Sequence, residues 1–226
     1  ELAAAGMNVA RLNFSHGTHD SHKKIIEQIR KLNRSRQFPI ALLLDTQGPE
    51  IRTGNEVVTL LSCERVTVSS PPHEETEGTL FVNYSALKRD LEPGNYISID
   101  GGLVSLKVLG KNERGLDCEV IDGGVVKGHR HVNLPGTIVK LPGITETDKQ
   151  DILFGVKQKV DVIALSFVRS SETILEVRDL LGEHAQHIKI IAKIENQEGV
   201  DRLEEIVQEA DGVMVARGDL GIEVEM

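Results

Sequence analysis

Two kinds of hydrophobic pattern alternate at the start of the chain and again after residue 143. Short, wholly apolar runs such as Ile40–Leu44 and Val162–Leu165 are typical of strands covered on both faces, as in parallel sheets. Between such runs, the apolar residues of Asp20–Arg34 and Ser171–Leu181 recur every three or four positions, which predicts amphipathic helices. These two parts of the chain therefore predict repeated βα units.

The other elements of the same two parts are predicted by the same signals. Strands are expected at Asn8–Asn13, Ile188–Ala192 and Gly212–Val215, and helices at Glu146–Lys157 and Val200–Glu209. Thr145, three residues before Asp148, predicts a capping box at the start of the first of these helices. Glu1–Ala5 is expected to be the end of a helix, stopped by Gly6.

The middle of the chain has a different pattern. From Glu56 to Asn133, short runs rich in Val, Thr and Ile are separated by Gly and Pro, which predicts a small all-β domain. Its expected strands are Val57–Leu61, Arg65–Ser69, Tyr96–Ile99, Leu103–Leu109 and Leu116–Val120. The chain therefore divides into residues 1–51, an inserted domain at 52–140, and residues 141–226 that continue the first part.

The predicted βα units are too few for a closed barrel. An eight-unit barrel needs at least about 200 residues, and the two βα parts supply roughly 140, or about five strands. The expected fold is therefore an incomplete TIM-type (β/α) barrel with an inserted small all-β domain, and both chain ends look cut. A complete open sheet with an inserted domain is the alternative, and composition does not separate the two.

Charge and composition exclude some classes of protein. The chain has 26 Lys and Arg against 35 Asp and Glu, a net charge of −9, with 3% aromatic residues and no Trp. Nucleic-acid binding needs clustered cations and often aromatic stacking surfaces, so we expect no nucleic-acid partner. No apolar run approaches the ~20 residues that span a membrane. Two cysteines, without a secretion signal, favour the cytoplasm.

Polar side chains follow each predicted strand of the βα parts. They are Arg11, Asn13 and Ser15, then Asp45 and Thr46, then Ser166, then Lys193 and Glu195, and finally Arg217 and Asp219. Because the carboxyl ends of parallel strands meet at one edge, these groups are expected to form one site. Alternation along a strand places Arg11, Asn13 and Ser15 on one face, with Phe14 on the other.

The charges at these strand ends predict a metal site. Lys193 with the carboxylates of Glu195 and Asp219 leaves one net negative charge, which a divalent cation would balance. Hard oxygen ligands favour Mg²⁺ or Mn²⁺ over zinc. The alternative is a buried ion pair between Lys193 and Glu195 with no ligand. Gly218–Gly221 is expected to form a flexible turn around Asp219.

Five segments, in order along the whole chain, resemble the signature segments of the pyruvate kinase family. They are Asn8–Gly17, Leu44–Gly54, Val132–Gly136, Ile191–Gly199 and Met214–Gly221. The resemblance implies a glycolytic phosphotransferase that moves the phosphoryl group of phosphoenolpyruvate to ADP, giving pyruvate and ATP. It also implies that the inserted domain is a mobile lid, and that the intact enzyme is a homo-tetramer.

The resemblance also implies roles for individual residues. Lys193 and Arg11 would be catalytic, and the substrate would be bound by Arg11, Lys193, Gly218 and Asp219. Mg²⁺ (or Mn²⁺) would be bound by Glu195 and Asp219. K⁺ would be bound by Asn13, Ser15, Asp45 and Thr46. Nucleotide would be bound by Asn13, Ser15, His16, Arg52 and Arg130.

Three positions bear on these implied roles. Glu50 occupies the position where potassium-dependent members carry an acid, which predicts dependence on a monovalent cation. Gln47 stands where many members have Lys, and His129–His131 replaces a stretch that is commonly rich in Lys. The nucleotide contact of Arg130 rests on the resemblance alone.

Two other functions remain possible at this stage. The chain could bind Mg²⁺ and anions without catalysis, and we expect little or no turnover from these 226 residues alone. It could also be a different barrel enzyme acting on phosphoenolpyruvate or pyruvate, such as a mutase or a lyase, although the inserted domain after Asp45 argues against this. An assay for pyruvate from phosphoenolpyruvate and ADP distinguishes these possibilities.

Overall fold

The structure is a computed structural model that describes residues 1–74, 76 and 78–224. The chain divides into two compact units. The α/β unit contains Glu1–Pro49 and Pro142–Ala216, and the β unit contains Glu50–Leu141 together with the chain from Arg217 onward. The sequence-based division, which stays a prediction, differs in placing the chain after Ala216 with the α/β part. Residues 225 and 226, the end of its third segment, lie outside the described residues.

The described residues form strands and helices with the following bounds. The strands are β1 (Val9–Asn13), β2 (Ala41–Asp45), β3 (Val58–Leu60), β4 (Arg65–Ser69), β5 (Thr79–Phe81), β6 (Tyr96–Ile99), β7 (Val104–Lys111), β8 (Gly115–Asp122), β9 (Gly124–Val126), β10 (Val132–Asn133), β11 (Val162–Leu165), β12 (Lys189–Ile194) and β13 (Gly212–Val215). The helices are α1 (His19–Asn33), α2 (Leu87–Asp90), α3 (Glu146–Lys157), α4 (Ser171–Leu181), α5 (Gln197–Asp201), α6 (Leu203–Glu209) and α7 (Arg217–Glu223), with a 3₁₀ helix at Gly182–Gln186.

The α/β unit is built on a five-stranded parallel sheet. Its strands lie in the order β1-β2-β11-β12-β13, which is also their order along the chain. A doubly wound open sheet reverses its strand order at a switch point, whereas a barrel adds each strand beside the previous one. The described strands show no reversal, so the fold is part of a (β/α) barrel, as the sequence predicted, and the open-sheet alternative is wrong.

Several helix and strand bounds agree with the prediction to the residue. They are the bounds of α3, β11, α4, β13, β4 and β6. The local signals at the ends of α3 and α4 explain this agreement. Thr145 and Asp148 form the expected capping box of α3, and α4 ends at Gly182, whose φ is +53°.

Two predicted helices are wrong in extent. Residues 2–6 form a turn rather than the expected end of a helix, because so short a segment gains few hydrogen bonds and Leu2 remains 73% exposed. The expected helix Val200–Glu209 instead begins at Gln197 and breaks at Arg202 into α5 and α6. The Asn196 side chain accepts a hydrogen bond from the Gly199 N–H and so starts α5 earlier than apolar periodicity suggested.

Each unit has its own apolar core. In the α/β unit, α1 and α3 bury Ile26 and Ile152, while strands contribute Leu44, Ile163 and Ile190. The β unit contains a six-stranded sheet in the order β10-β6-β7-β8-β4-β5 and a separate antiparallel pair, β3 with β9. Within it lie the short helix α2 and also α7, so the described part of this unit is mostly, but not entirely, β structure.

Candidate active site

Lys193 is the centre of a polar cluster in the α/β unit. Its ammonium nitrogen lies 3.0 Å from Glu195 Oε1 and 3.2 Å from Asp45 Oδ1. It also donates a hydrogen bond of 2.7 Å to Ser166 Oγ. An ammonium group has three hydrogens, so these three acceptors can use all of them. The residues come from the ends of three adjacent strands, β2, β11 and β12, as the sequence predicted for Lys193, Glu195 and Asp45.

Burial makes these charges strongly interdependent. Glu195 and Asp45 are 2% and 1% exposed, and Lys193 is 9% exposed. A buried carboxylate without a cationic partner costs several kcal/mol, so Lys193 and Arg11 stabilise the two acids. Arg11 Nε donates to Asp45 Oδ2 at 2.5 Å, while the Arg11 side chain as a whole is 56% exposed. Arg11 can therefore turn toward a bound anion without leaving its strand end.

Ser166 connects Lys193 to the end of β2. Its hydroxyl donates to the carbonyl of Thr46 at 2.6 Å, and its N–H donates to Thr46 Oγ1 at 3.1 Å. Both residues are buried, with exposures of 4% and 3%. The sequence placed Ser166 among the polar strand ends but assigned it no role, since its partners depend on the pairing of β2 with β11.

Glu195 is fixed from its other side by the backbone. The N–H of Phe167 donates to Glu195 Oε2 at 2.7 Å. Phe167 has a φ of +55°, in the left-handed region that few residues with a side chain adopt. The sequence did not predict this contact, because the donor is a backbone N–H, which almost every residue has.

The end of β1 differs from the predicted alternation. The strand ends at Asn13, and Ser15 lies in a turn in which its N–H donates to Asn13 Oδ1 at 3.1 Å. Ser15 therefore does not continue the extended face of Arg11 and Asn13, and that part of the prediction is wrong. Phe14 does face a helix, since its ring stacks on His22 of α1 with centroids 4.1 Å apart. His16 lies in the same turn, and its carbonyl accepts from His22 Nε2 at 2.9 Å.

A second buried acid fixes the point where the chain leaves the α/β unit. Asp148 is fully buried, and its Oδ1 accepts a hydrogen bond of 3.0 Å from the Gly48 N–H. Gly48 has a φ of +77°, and a Cβ added there would lie 2.8 Å from Ser166 Cβ. The turn after β2 therefore packs directly against the backbone that carries Ser166 and Phe167. Sequence analysis recognised Asp148 only as a helix cap.

The β unit holds both arginines predicted to bind nucleotide, Arg52 and Arg130. Arg52 forms an ion pair with Glu50, with Nη2 2.5 Å from Oε2, and donates to the carbonyl of His129 at 2.8 Å. Arg130 lies 3.6 Å from Asp100. Glu50 is therefore positioned by an arginine of its own unit.

Gly218 and Asp219 also belong to the β unit. The predicted flexible turn at Gly218–Gly221 is wrong, since these residues lie within helix α7. Asp219 Oδ1 lies 3.3 Å from His131 Nδ1. At the end of α7, Glu223 accepts from Asn133 Nδ2 at 2.7 Å, and burial raises the pKa of Glu223. Two side-chain contacts therefore hold α7 to the unit that contains β10.

The donor atoms fit hard cations. Within the described ranges, no three His, Cys, Asp or Glu side chains are grouped so as to hold a metal ion by themselves. Mg²⁺ does not require such a group, because it usually binds one or two carboxylates and keeps water or substrate oxygens as its other ligands. Glu195 supplies a buried carboxylate, and the paired ends of β1 and β2 place Asn13 opposite Asp45. These oxygen donors suit Mg²⁺ at Glu195 and a monovalent cation beside Asp45.

Comparison with known proteins decides the family. The barrel-domain model of pyruvate kinase matches residues 1–226. The chain belongs to the pyruvate kinase family. It is 47% identical over 229 residues to proteins named pyruvate kinase from Staphylococcus aureus strains MRSA252, USA300 and NCTC 8325. Each alignment covers 99% of this chain and 39% of the relative, so the chain spans about two fifths of the relatives' length.

Membership of the pyruvate kinase family confirms the resemblance seen in the five signature segments. The match to the family also covers the inserted part of the chain. The buried Lys193–Glu195 ion pair of the alternative interpretation is present in the structure, and the metal site at Glu195 and Asp219 stays a prediction.

Proposed function

We propose that the chain carries the phosphoryl-transfer site of a pyruvate kinase, an enzyme that converts phosphoenolpyruvate and ADP to pyruvate and ATP. The observation that carries this proposal is the buried ammonium of Lys193, surrounded by Glu195, Asp45 and Ser166 at adjacent strand ends. Phosphoryl transfer depends mainly on positioning and on stabilising charge, and a fixed, desolvated cation serves both needs.

Lys193 is the proposed catalytic cation. In the transition state, negative charge spreads over the transferring phosphoryl group, and the enolate oxygen of the product develops charge as well. A cation about 4 Å from such an oxygen contributes roughly 4 kcal/mol at an effective dielectric near 20, before desolvation. Arg11 is proposed to bind a phosphate oxygen, because its side chain is exposed while its guanidinium is anchored to Asp45 through Nε.

Glu195 and Asp219 are the proposed ligands of Mg²⁺ or Mn²⁺. When bound, the metal would supply a Lewis acid that draws charge from the substrate oxygens. Glu195 is suited to this because the Phe167 N–H fixes its Oε2. Asp219 is included from its place in the family segment Met214–Gly221. Together with Gly218, Arg11 and Lys193, it would contact the phosphorylated acid.

The remaining predicted residues are assigned to nucleotide and potassium. We assign nucleotide to Asn13, Ser15, His16, Arg52 and Arg130. We assign K⁺ to Asn13, Ser15, Asp45 and Thr46, all of which offer oxygen donors. Asn13 and Asp45 are register partners on neighbouring strands, which supports a shared site. The β unit would close over the nucleotide as a lid.

Partners and location are also proposals. We propose that the protein acts in the cytoplasm as a homo-tetramer, with phosphoenolpyruvate and ADP or ATP as ligands and neither nucleic acid nor membrane as a partner. The excess of acidic residues supports the absence of a nucleic-acid partner. Among the described residues, none of the helices combines the length and apolarity that crossing a bilayer requires.

The test is a pyruvate assay on the longest natural protein that contains these 226 residues. Phosphoenolpyruvate, ADP, Mg²⁺ and KCl are supplied, and pyruvate is measured by a coupled dehydrogenase. We expect pyruvate formation that needs all four, with strongly reduced rates when tetramethylammonium replaces potassium. Absence of pyruvate despite Mg²⁺ binding would favour the non-catalytic alternative, and full activity without K⁺ or NH₄⁺ would contradict the potassium site. The 226 residues alone are expected to show little or no turnover.

A further inference from the structure

The hydroxyl of Ser166 lies between two parts of the site that have been described separately. On one side is the ammonium of Lys193, 2.7 Å away, and on the other is the carbonyl of Thr46, 2.6 Å away. Ser166 Oγ also lies 3.4 Å from Asp45 Oδ1. A buried polar network whose members are all hydrogen-bonded makes its site rigid.

The hydrogen-bond directions are set by the number of hydrogens. Lys193 can only donate, so Ser166 Oγ accepts from its ammonium group. The single hydroxyl hydrogen can then go to one acceptor, and the shorter contact assigns it to the Thr46 carbonyl rather than to Asp45. The order of donation is therefore from Lys193 to Ser166, and from Ser166 to Thr46. Each hydrogen bond in such a chain polarises the next one.

Ser166 differs from the other two partners of Lys193. Glu195 and Asp45 are charged and are themselves assigned to cations, whereas the Ser166 hydroxyl is neutral. Its position is also rigid, because its N–H donates to Thr46 Oγ1 and its Cβ lies close to the Gly48 backbone. Ser166 is therefore suited to hold the ammonium in place whatever occupies the two carboxylates.

We propose that Ser166 is a positioning residue, which aims the ammonium of Lys193 and couples it to the Thr46 carbonyl. A monovalent cation bound at Thr46 and Asp45 and the placement of Lys193 would then influence each other through one hydroxyl. This proposal rests on the proposed function for its catalytic part, and on the donor set of Thr46 and Asp45 for its cation part.

The first measurement is steady-state kinetics of Ser166→Ala in the longest natural protein that contains the chain. We expect kcat to fall about 10- to 100-fold, the scale of one lost hydrogen bond to a charged group. KM for ADP should change little, and the K⁺ concentration for half-maximal activity should rise several-fold. Ser166→Thr, which keeps a hydroxyl, should recover most of both. Ser171→Ala, at the start of α4, is the matched control and should behave as wild type.

The second measurement does not need turnover. The thermal unfolding midpoint of the 226-residue chain is compared in KCl and in tetramethylammonium chloride at equal ionic strength. Wild type and Ser171→Ala should show a potassium-specific rise in midpoint. Ser166→Ala should lose most of that rise.

The outcomes separate this proposal from the proposed function. Inactive wild type with a potassium rise that Ser166→Ala removes would overturn the pyruvate kinase activity but support the coupling. Active wild type with normal kcat and normal potassium response in Ser166→Ala would overturn the coupling alone. If the unfolding midpoint of the wild type does not rise in KCl, the coupling is wrong as well. If Ser166→Ala does not fold while Ser166→Thr folds without recovering kcat, Ser166 serves the fold only and the proposal is wrong.

Discussion

The backbone N–H of Phe167 donates a 2.7 Å hydrogen bond to the carboxylate of Glu195. The φ of +55° at Phe167 is strained for a residue with a side chain, typically by about 1–3 kcal/mol. The Phe167 N–H binds Glu195 Oε2, while Oε1 faces Lys193. The carboxylate is thus held at both oxygens before any ligand arrives, which is the preorganisation that electrostatic catalysis requires.

Substituting Gly48 should damage the backbone support of the site. Gly48→Ala would place a Cβ 2.8 Å from Ser166 Cβ and 3.1 Å from the Phe167 ring, at a φ of +77°. Left-handed strain and overpacking together should lower the free energy of unfolding by about 2–4 kcal/mol. Urea unfolding of Gly48→Ala, of a control variant and of wild type measures the free energy of unfolding of each. Gly101→Ala, at a φ of +70° but with nothing within 4 Å of the added Cβ, is the control and should lose only about 1–2 kcal/mol. An equal loss of unfolding free energy in both variants would show that the close contact with Ser166 does not destabilise the protein.

The two cysteines should differ widely in reactivity. Cys118 is fully buried in β8, and burial raises the pKa of its thiol to about 12. At pH 8 its thiolate fraction would be about one in ten thousand, and only the thiolate attacks disulfide reagents. Cys63 is exposed. We expect one fast-reacting thiol per native chain and two after denaturation, measured with an aromatic disulfide reagent. Cys63→Ser should remove the fast reaction, and fast modification of Cys118 in that variant would contradict the buried position.

Asp211 should make stability depend on pH. Burial acts to raise the pKa of Asp211, but hydrogen bonds from Lys189 Nζ and the Ile190 N–H outweigh it, so the pKa is lowered. A lowered pKa stabilises the fold above the unfolded value near 3.9, and this contribution disappears as the pH falls through the folded value.

Asp211→Asn tests that dependence. It should lower the free energy of unfolding by about 1 kcal/mol at pH 7, because hydrogen bonds to a charged acceptor are lost. The difference from wild type should shrink below about pH 4. Asp201→Asn is the control, because Asp201 is exposed and its side chain accepts a hydrogen bond from Gln197 of the same helix; it should change little at either pH. A gap for Asp211→Asn that is constant with pH would contradict the charge-based explanation.

Glu195 should dominate metal binding in the α/β unit. Glu195→Gln removes the charge but keeps the side-chain size, and we expect the affinity for Mn²⁺ to fall at least about 10-fold. Electron paramagnetic resonance of unbound Mn²⁺ measures the affinity directly. Glu198→Gln, three residues later in α5, pairs with arginines and should bind as wild type. Unchanged affinity in Glu195→Gln would remove this residue from the metal site.

Sequence patterns predicted the α/β part well because its signals are local. Apolar runs followed by polar residues located β2 and β12, although these strands extend to Asp45 and Ile194, slightly beyond the predicted ends at Leu44 and Ala192. Caps at Thr145 and Gly182 fixed helix bounds to the residue. Spacing alone left open whether Lys193 and Glu195 form a bare ion pair or part of a metal site, and the metal-binding roles implied by the family segments stay predictions.

The features that sequence analysis missed depend on contacts distant along the chain. Ser166 gains its importance from the pairing of β2 with β11, and a single sequence does not reveal that register. Strands β5, β9 and β10 have only two or three residues and exist because a neighbour pairs with them. The helix at Gly218–Gly221 was also missed, since two glycines favour a turn locally and tertiary contacts of Asp219 and Glu223 override them.

The central claim is that the buried ammonium of Lys193 stabilises phosphoryl transfer. The most direct measurement is kcat for pyruvate formation by Lys193→Met in the longest natural protein that contains the chain. Lys189→Met, on the same strand but exposed and paired with Asp211, is the matched control. We predict a loss of about 1,000-fold for Lys193→Met, in keeping with about 4 kcal/mol, and near wild-type rates for Lys189→Met. A Lys193→Met enzyme within about 10-fold of wild type would contradict the account.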